Sequence, residues 1–180
     1  GRRAEGGTMK AKLIAAAVAA ALIGGGAAPA PLAPLDFLIG EWTGGGSGAP
    51  GAGVGGTTFA RELQGRVVVR TNFADYPAGG ERAAFRHDDL MVVYVDADGR
   101  LKADYFDSEG HVIRYAVQAR EGGGVVFVGE AAPGTPRFRL TYAPDADGAV
   151  AGTFEIAPPD KPEAFKTYLS WTMRRAPAKK

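Results

Sequence analysis

Cysteine is absent from the 180 residues. Disulfide frameworks, thiolate metal sites, cysteine nucleophiles and a lipidated N-terminal cysteine are therefore excluded. Imidazole is nearly as scarce, with His87 and His111 the only histidines. Nor does one sign of charge dominate. The first 30 residues hold four of the 21 basic and one of the 20 acidic residues, which leaves 17 basic against 19 acidic in the remainder. A surface so close to neutral offers no electrostatic footprint for nucleic acid. Long hydrophobic runs are missing too: the longest, 13–23, falls short of the ~20 residues that a membrane helix requires.

That run has the length of a secretory h-region. Met9 is followed by Lys10 and Lys12, then by the apolar stretch, then by a small-x-small site ending Ala28-Pro29-Ala30. This is the layout of a removable signal peptide. Cleavage after Ala30 would leave 31–180 as a single domain, periplasmic or secreted, with no stable membrane span. The eight residues ahead of Met9 read as an upstream extension.

Glycine (27 residues) and proline (12 residues) are plentiful instead, which favours short strands and turns over long helices. Strand-like runs fall at 37–43, 57–63, 66–72, 89–95, 101–106, 111–118, 125–129, 137–142, 150–156 and 165–174. Residues 31–38 suit a short helical turn before them, and the glycine-rich 44–56 reads as a long loop or a bent strand. Asp96-Ala97-Asp98-Gly99, Asp107-Ser108-Glu109-Gly110 and Asp145-Ala146-Asp147-Gly148 share an acidic opening and a closing glycine. Each reads as a hairpin turn with glycine in the left-handed region. Calcium is a poor fit: from Asp96, the fifth position is Arg100 and the twelfth Asp107, where an EF-hand needs an oxygen ligand and a glutamate. Apolar and polar residues alternate, as in Phe138, Leu140 and Tyr142 against Arg137, Arg139 and Thr141. Short hairpins and no covering helix imply an all-β, roughly ten-stranded antiparallel up-and-down sheet, closed into a barrel to remove its edges.

The opening Phe37-Leu38-Ile39-Gly40-Glu41-Trp42, with Gly44, Gly46 and Gly48 behind it, resembles the start of nitrobindin-like, lipocalin-like β-barrel proteins, whose pattern is Gly-x-Trp-x-Gly-x-Gly-x-Gly-x-Tyr-Pro. Ala49-Pro50-Gly51 stands where x-Tyr-Pro would fall. The resemblance implies a ten-stranded barrel that can hold haem, through a histidine late in the chain. No histidine occurs in 165–180, so haem is disfavoured. Exported lipocalin-like barrels of unknown function, which open on Phe-Leu-x-Gly-Glu-Trp, are the more similar group.

In such a barrel Trp42 closes one end, and Arg61, Arg70, Asp104, Tyr105, His111 and Arg114 are the candidates to meet a ligand. Asp104 and Arg114 lie on the two arms of one hairpin, although the shortest count puts Ile113 opposite Asp104. His87, in Phe85-Arg86-His87-Asp88-Asp89, can share a face with Asp89 alone, and two groups do not make a metal site; it reads as a loop-to-strand junction. Ser47 lacks the nucleophile-elbow pattern, and no catalytic set is nominated. The expected function is non-enzymatic binding of a small hydrophobic or amphipathic molecule. The alternatives are a haem-type redox protein or enzyme using the same cavity, and a barrel filled by its own aromatics that acts as an interaction scaffold.

Overall fold

The computed structural model describes residues 30–177; the signal-peptide expectation lies outside them. A 3-10 helix, Ala30–Leu38, leads into ten strands: β1 Gly40–Gly48, β2 Gly53–Glu62, β3 Val67–Tyr76, β4 Phe85–Val95, β5 Leu101–Asp107, β6 Val112–Ala119, β7 Val125–Gly129, β8 Arg137–Pro144, β9 Val150–Ala157 and β10 Lys166–Arg175. Each pairs antiparallel with its neighbour in sequence, and β10 returns to β1 to close the barrel. The up-and-down topology is the one that the hairpin signals predict. Gly99, Gly110 and Gly148 all have positive φ, as their turns require.

The glycine-rich segment is a finding against expectation. It is neither a long loop nor one bent strand: β1 and β2 are two paired strands joined by the short connection 49–52. Gly44, Gly46 and Gly48 stand beside Met173, Trp171 and Leu169 of β10. A Cβ on any of the three would collide with the backbone of β10, so the closing seam needs residues without one.

Alternate residues of every strand face inward, and the two halves of the interior differ. Toward the end where β2–β3, β4–β5, β6–β7 and β8–β9 turn, the barrel is filled. Phe59, Val68, Val93, Val125 and Phe127 are fully buried there, and Tyr142 meets Phe59 edge to face at 5.5 Å. The 3-10 helix packs over this end against β3 and β4. It brings Leu32, Leu35 and Leu38 into the core without exposure. Burying a leucine this completely stabilises by about 1.5–3 kcal/mol. Trp42 Nε1–H donates to the Leu38 carbonyl at 2.6 Å, the Arg175 guanidinium lies 4.0 Å from the centre of its indole, and Arg61 ion-pairs with Asp36 of the helix. This end is therefore plugged, as Trp42 predicts. Among the described residues no helix is long and apolar enough to cross a membrane.

Candidate ligand cavity

The opposite half is hollow. A cavity of about 430 Å³ opens at the end where β1–β2, β3–β4, β5–β6, β7–β8 and β9–β10 turn. It falls within the size range of small-molecule sites. Its walls differ in chemistry because different strands build them.

β8, β9 and β10 supply the apolar wall, with Leu140, Phe154, Ile156, Leu169, Trp171 and Met173. Phe138 stacks on Phe154 at 5.7 Å. Trp171 fits only because Gly152 on β9 has no Cβ; one would penetrate the indole. A bulge between Thr167 and Leu169 shifts the alternation of β10. Leu169, Trp171 and Met173 share the inner face, while Tyr168 reaches the rim. On β1 and β2, Gly44, Gly46, Gly53 and Gly55 leave the wall without side chains.

β3, β4 and β5 supply the polar wall. Arg70 and Asp89, both buried, form an ion pair with Nη1 3.1 Å from Oδ1. Asn72 Nδ2 donates to Asp89 Oδ2 at 2.8 Å, and His87 Nε2 lies 3.3 Å from the same oxygen. Burial alone would raise the Asp89 pKa, but Arg70, His87 and Asn72 together hold it below the usual value. Burial likewise opposes the charge on Arg70, yet Asp89 and the surrounding tyrosines keep its pKa raised. Arg70 Nε is buried without a hydrogen-bond partner, and so is the Tyr142 hydroxyl.

His87 stands above this pair. Its Nε2 also contacts the Tyr105 hydroxyl at 3.1 Å, and its Nδ1 faces Glu109 Oε1 at 2.9 Å. The hydrogen bond to Asp89, supported by that to Glu109 and by both charges, raises the His87 pKa to about 9 against the effect of burial. Tyr105 and Tyr115 are pushed well above the ordinary tyrosine value by burial. At the rim, Asp107 Oδ1 accepts the backbone N–H groups of Glu109 and His111, at 3.0 and 2.9 Å. Asp107 Oδ2 lies 2.9 Å from His111 Nδ1.

Of the sequence-nominated residues, Trp42, Arg70, Tyr105 and His111 line the cavity. Three do not. Arg61 is at the plugged end, where it holds the 3-10 helix. Asp104 and Arg114 are register partners after all, because the turn is one residue longer than the shortest count allows. Ala103 and Tyr105 on either side face inward, so this pair faces outward: Arg114 is exposed, and Asp104 accepts from Tyr94 at 3.3 Å. His87 is a correction of the opposite kind. It lies inside β4 and in the cavity wall, not at a loop junction. Asn72, Asp107, Glu109 and Trp171, which no sequence motif singles out as a site, line the cavity as well, and Asp89 stands beside His87 on the face that the sequence allows them to share. The available signal was the Asp-x-Glu-x-His spacing of 107–111, which the β4–β5 register, with Asp89 opposite Asp107, carries to His87.

The inward residues of β10 are Leu169, Trp171 and Met173, and both imidazoles are engaged by carboxylates at the other wall. A closed ten-stranded antiparallel barrel, plugged at one end and hollow at the other, is compatible with a lipocalin-like fold. No protein-family model matches the chain, and no curated protein matches it.

Proposed function

We propose that the barrel binds a small amphipathic molecule, without transforming it, in an exported protein. The observation that carries this reading is the division of one cavity into an apolar wall and a polar one. Transfer of an apolar body from water onto Phe154, Leu169 and Trp171 supplies the driving force, about 25 cal/mol per Å² buried. Arg70 and Tyr105 line the polar wall and would orient a polar end of the ligand, since a cavity fixes its ligand through a few placed polar groups.

Trp42 and Trp171 both line the cavity, so intrinsic fluorescence reports occupancy. Titration with the anionic probe 1-anilinonaphthalene-8-sulfonate is expected to saturate, and lauric acid is expected to displace it. Leu169→Lys, which sets a charge against the apolar wall, should abolish probe binding while far-UV circular dichroism stays unchanged. Native mass spectrometry of the purified protein should show a co-purified mass. Absence of both saturable probe binding and a bound mass would remove the proposal.

A further inference from the structure

Three turns of this barrel are built alike. In each, the first aspartate turns one carboxylate oxygen onto two backbone N–H groups: Asp96 onto Asp98 and Arg100, Asp145 onto Asp147 and Ala149, and Asp107 onto Glu109 and His111. That arrangement fixes the turn and leaves the other carboxylate oxygen for something else. The first two turns lie at the plugged end, and their fifth residues are Arg100 and Ala149. The third lies at the open rim, and its fifth residue is His111.

The third turn also has an imidazole from another strand against it. One nitrogen of His87, one carboxylate oxygen of Asp107 and one of Glu109 lie within 4.8 Å of one another. His111 Nδ1 is 2.9 Å from Asp107 Oδ2 and 3.9 Å from Glu109 Oε2. Two donors each bound at ~2.1 Å to one ion stand about 2.9–3.4 Å apart, depending on the angle. The His87–Glu109 separation, 2.9 Å, is already at that spacing.

A second observation concerns how the donors are held. His87 turns Nδ1 to Glu109 and Nε2 to Asp89. The Asp89 side chain is only 3% exposed and is fixed in turn by Arg70 and Asn72. A carboxylate behind the far nitrogen of a histidine is the usual support of a metal-ligating imidazole, because it fixes the ring and raises its basicity. Asp107 is held as firmly, with a side chain 4% exposed. A plain surface ion pair needs neither support.

We propose that His87, Asp107 and Glu109 form a divalent transition-metal site at the mouth of the cavity, with His111 holding Asp107 from beside it. An imidazole nitrogen beside two carboxylates favours zinc and its neighbours over calcium or magnesium, which take all-oxygen sites.

The test uses the tag-free chain, stripped with a chelator and titrated at pH 7.5 with Zn²⁺ by calorimetry and with Co²⁺ by visible absorption. The expected result is one ion per barrel and a Co²⁺ d–d band. His111→Ala, which removes the partner of Asp107, should weaken binding by roughly 10–100-fold, the usual cost of losing a supporting residue. His87→Ala should remove the band. Asp98→Asn, in the equivalent turn at the plugged end, should leave the affinity unchanged. Circular dichroism of each variant establishes that the barrel is folded. Equal Zn²⁺ affinity in the protein and in folded His87→Ala, no binding at all, or preference for Ca²⁺ over Zn²⁺ would overturn the assignment.

Discussion

Arg70 concentrates the chemistry of this barrel in one side chain. Its guanidinium is inside, paired with Asp89 and 6.0 Å from the centre of the Tyr142 ring. Removing two charges from water is costly, and the pair persists because Asn72 and His87 add hydrogen bonds to the carboxylate. Breaking such a pair from one side leaves a charge buried without compensation. Arg70→Met should therefore destabilise the barrel by about 3–5 kcal/mol, read as a lower urea midpoint at unchanged slope. Arg70→Met with Asp89→Asn should recover part of the loss, because no uncompensated carboxylate then remains. An unchanged midpoint for Arg70→Met would show that the pair contributes nothing. The sequence makes Arg70 legible, since an arginine in an alternating strand either faces outward or marks a site. Its partner is harder to find. Asp89 is visible only as one of two adjacent aspartates, and strand parity alone does not bring the Asp107 turn to the same wall.

β1 shows how an element can be misread when propensity is taken for structure. Glycine is depleted in strands for reasons of entropy and packing, so 44–56 looks like loop. The segment is strand because the closing seam with β10 has no room for side chains. A Cβ on Gly46 would run into the Ser170 carbonyl and the backbone of Trp171, whereas one on Gly45 would meet only the Gly53 carbonyl at 3.1 Å and the Val54 side chain. Gly46→Ala should consequently cost about 1–3 kcal/mol, the usual range for overpacking, and Gly45→Ala less. Thermal unfolding of the two variants separates them. Equal midpoints would mean that the seam can relax, and that the glycines answer to the cavity wall instead. The Gly-x-Trp opening with its spaced glycines was the readable part: it marks where the barrel starts and where Trp42 closes one end. That these positions abut β10 was not readable, because the pairing joins residues more than a hundred positions apart.

At the scale of the molecule, strand number and order were legible from turn chemistry, because each acidic turn ending in glycine forces a hairpin and a string of hairpins has only one simple closure. The hollow half was not legible. Cavity volume depends on how far the 3-10 helix and its leucines fill the barrel and on which inward positions are glycine, and neither quantity is local. Closure makes one further property testable. β10 lies against β1, with the Ala176 N–H donating to the Glu41 carbonyl at 2.9 Å, so both ends of the described segment are at the plugged end. The connection between β7 and β8 at the open end, 131–136, is exposed throughout. Permutation is tolerated where exposed loop tips are opened and neighbouring ends are joined. A permutant that links Pro177 to Pro31 through a glycine–serine linker and begins within 131–136 should keep the β-rich circular dichroism spectrum and the probe affinity of the parent. Its folding should also be faster. The β1–β10 pairing, now bridged by a short linker, no longer requires closure of the whole chain before it forms. A permutant that folds more slowly than the parent, measured by stopped-flow fluorescence, would show that closure of this seam does not limit folding.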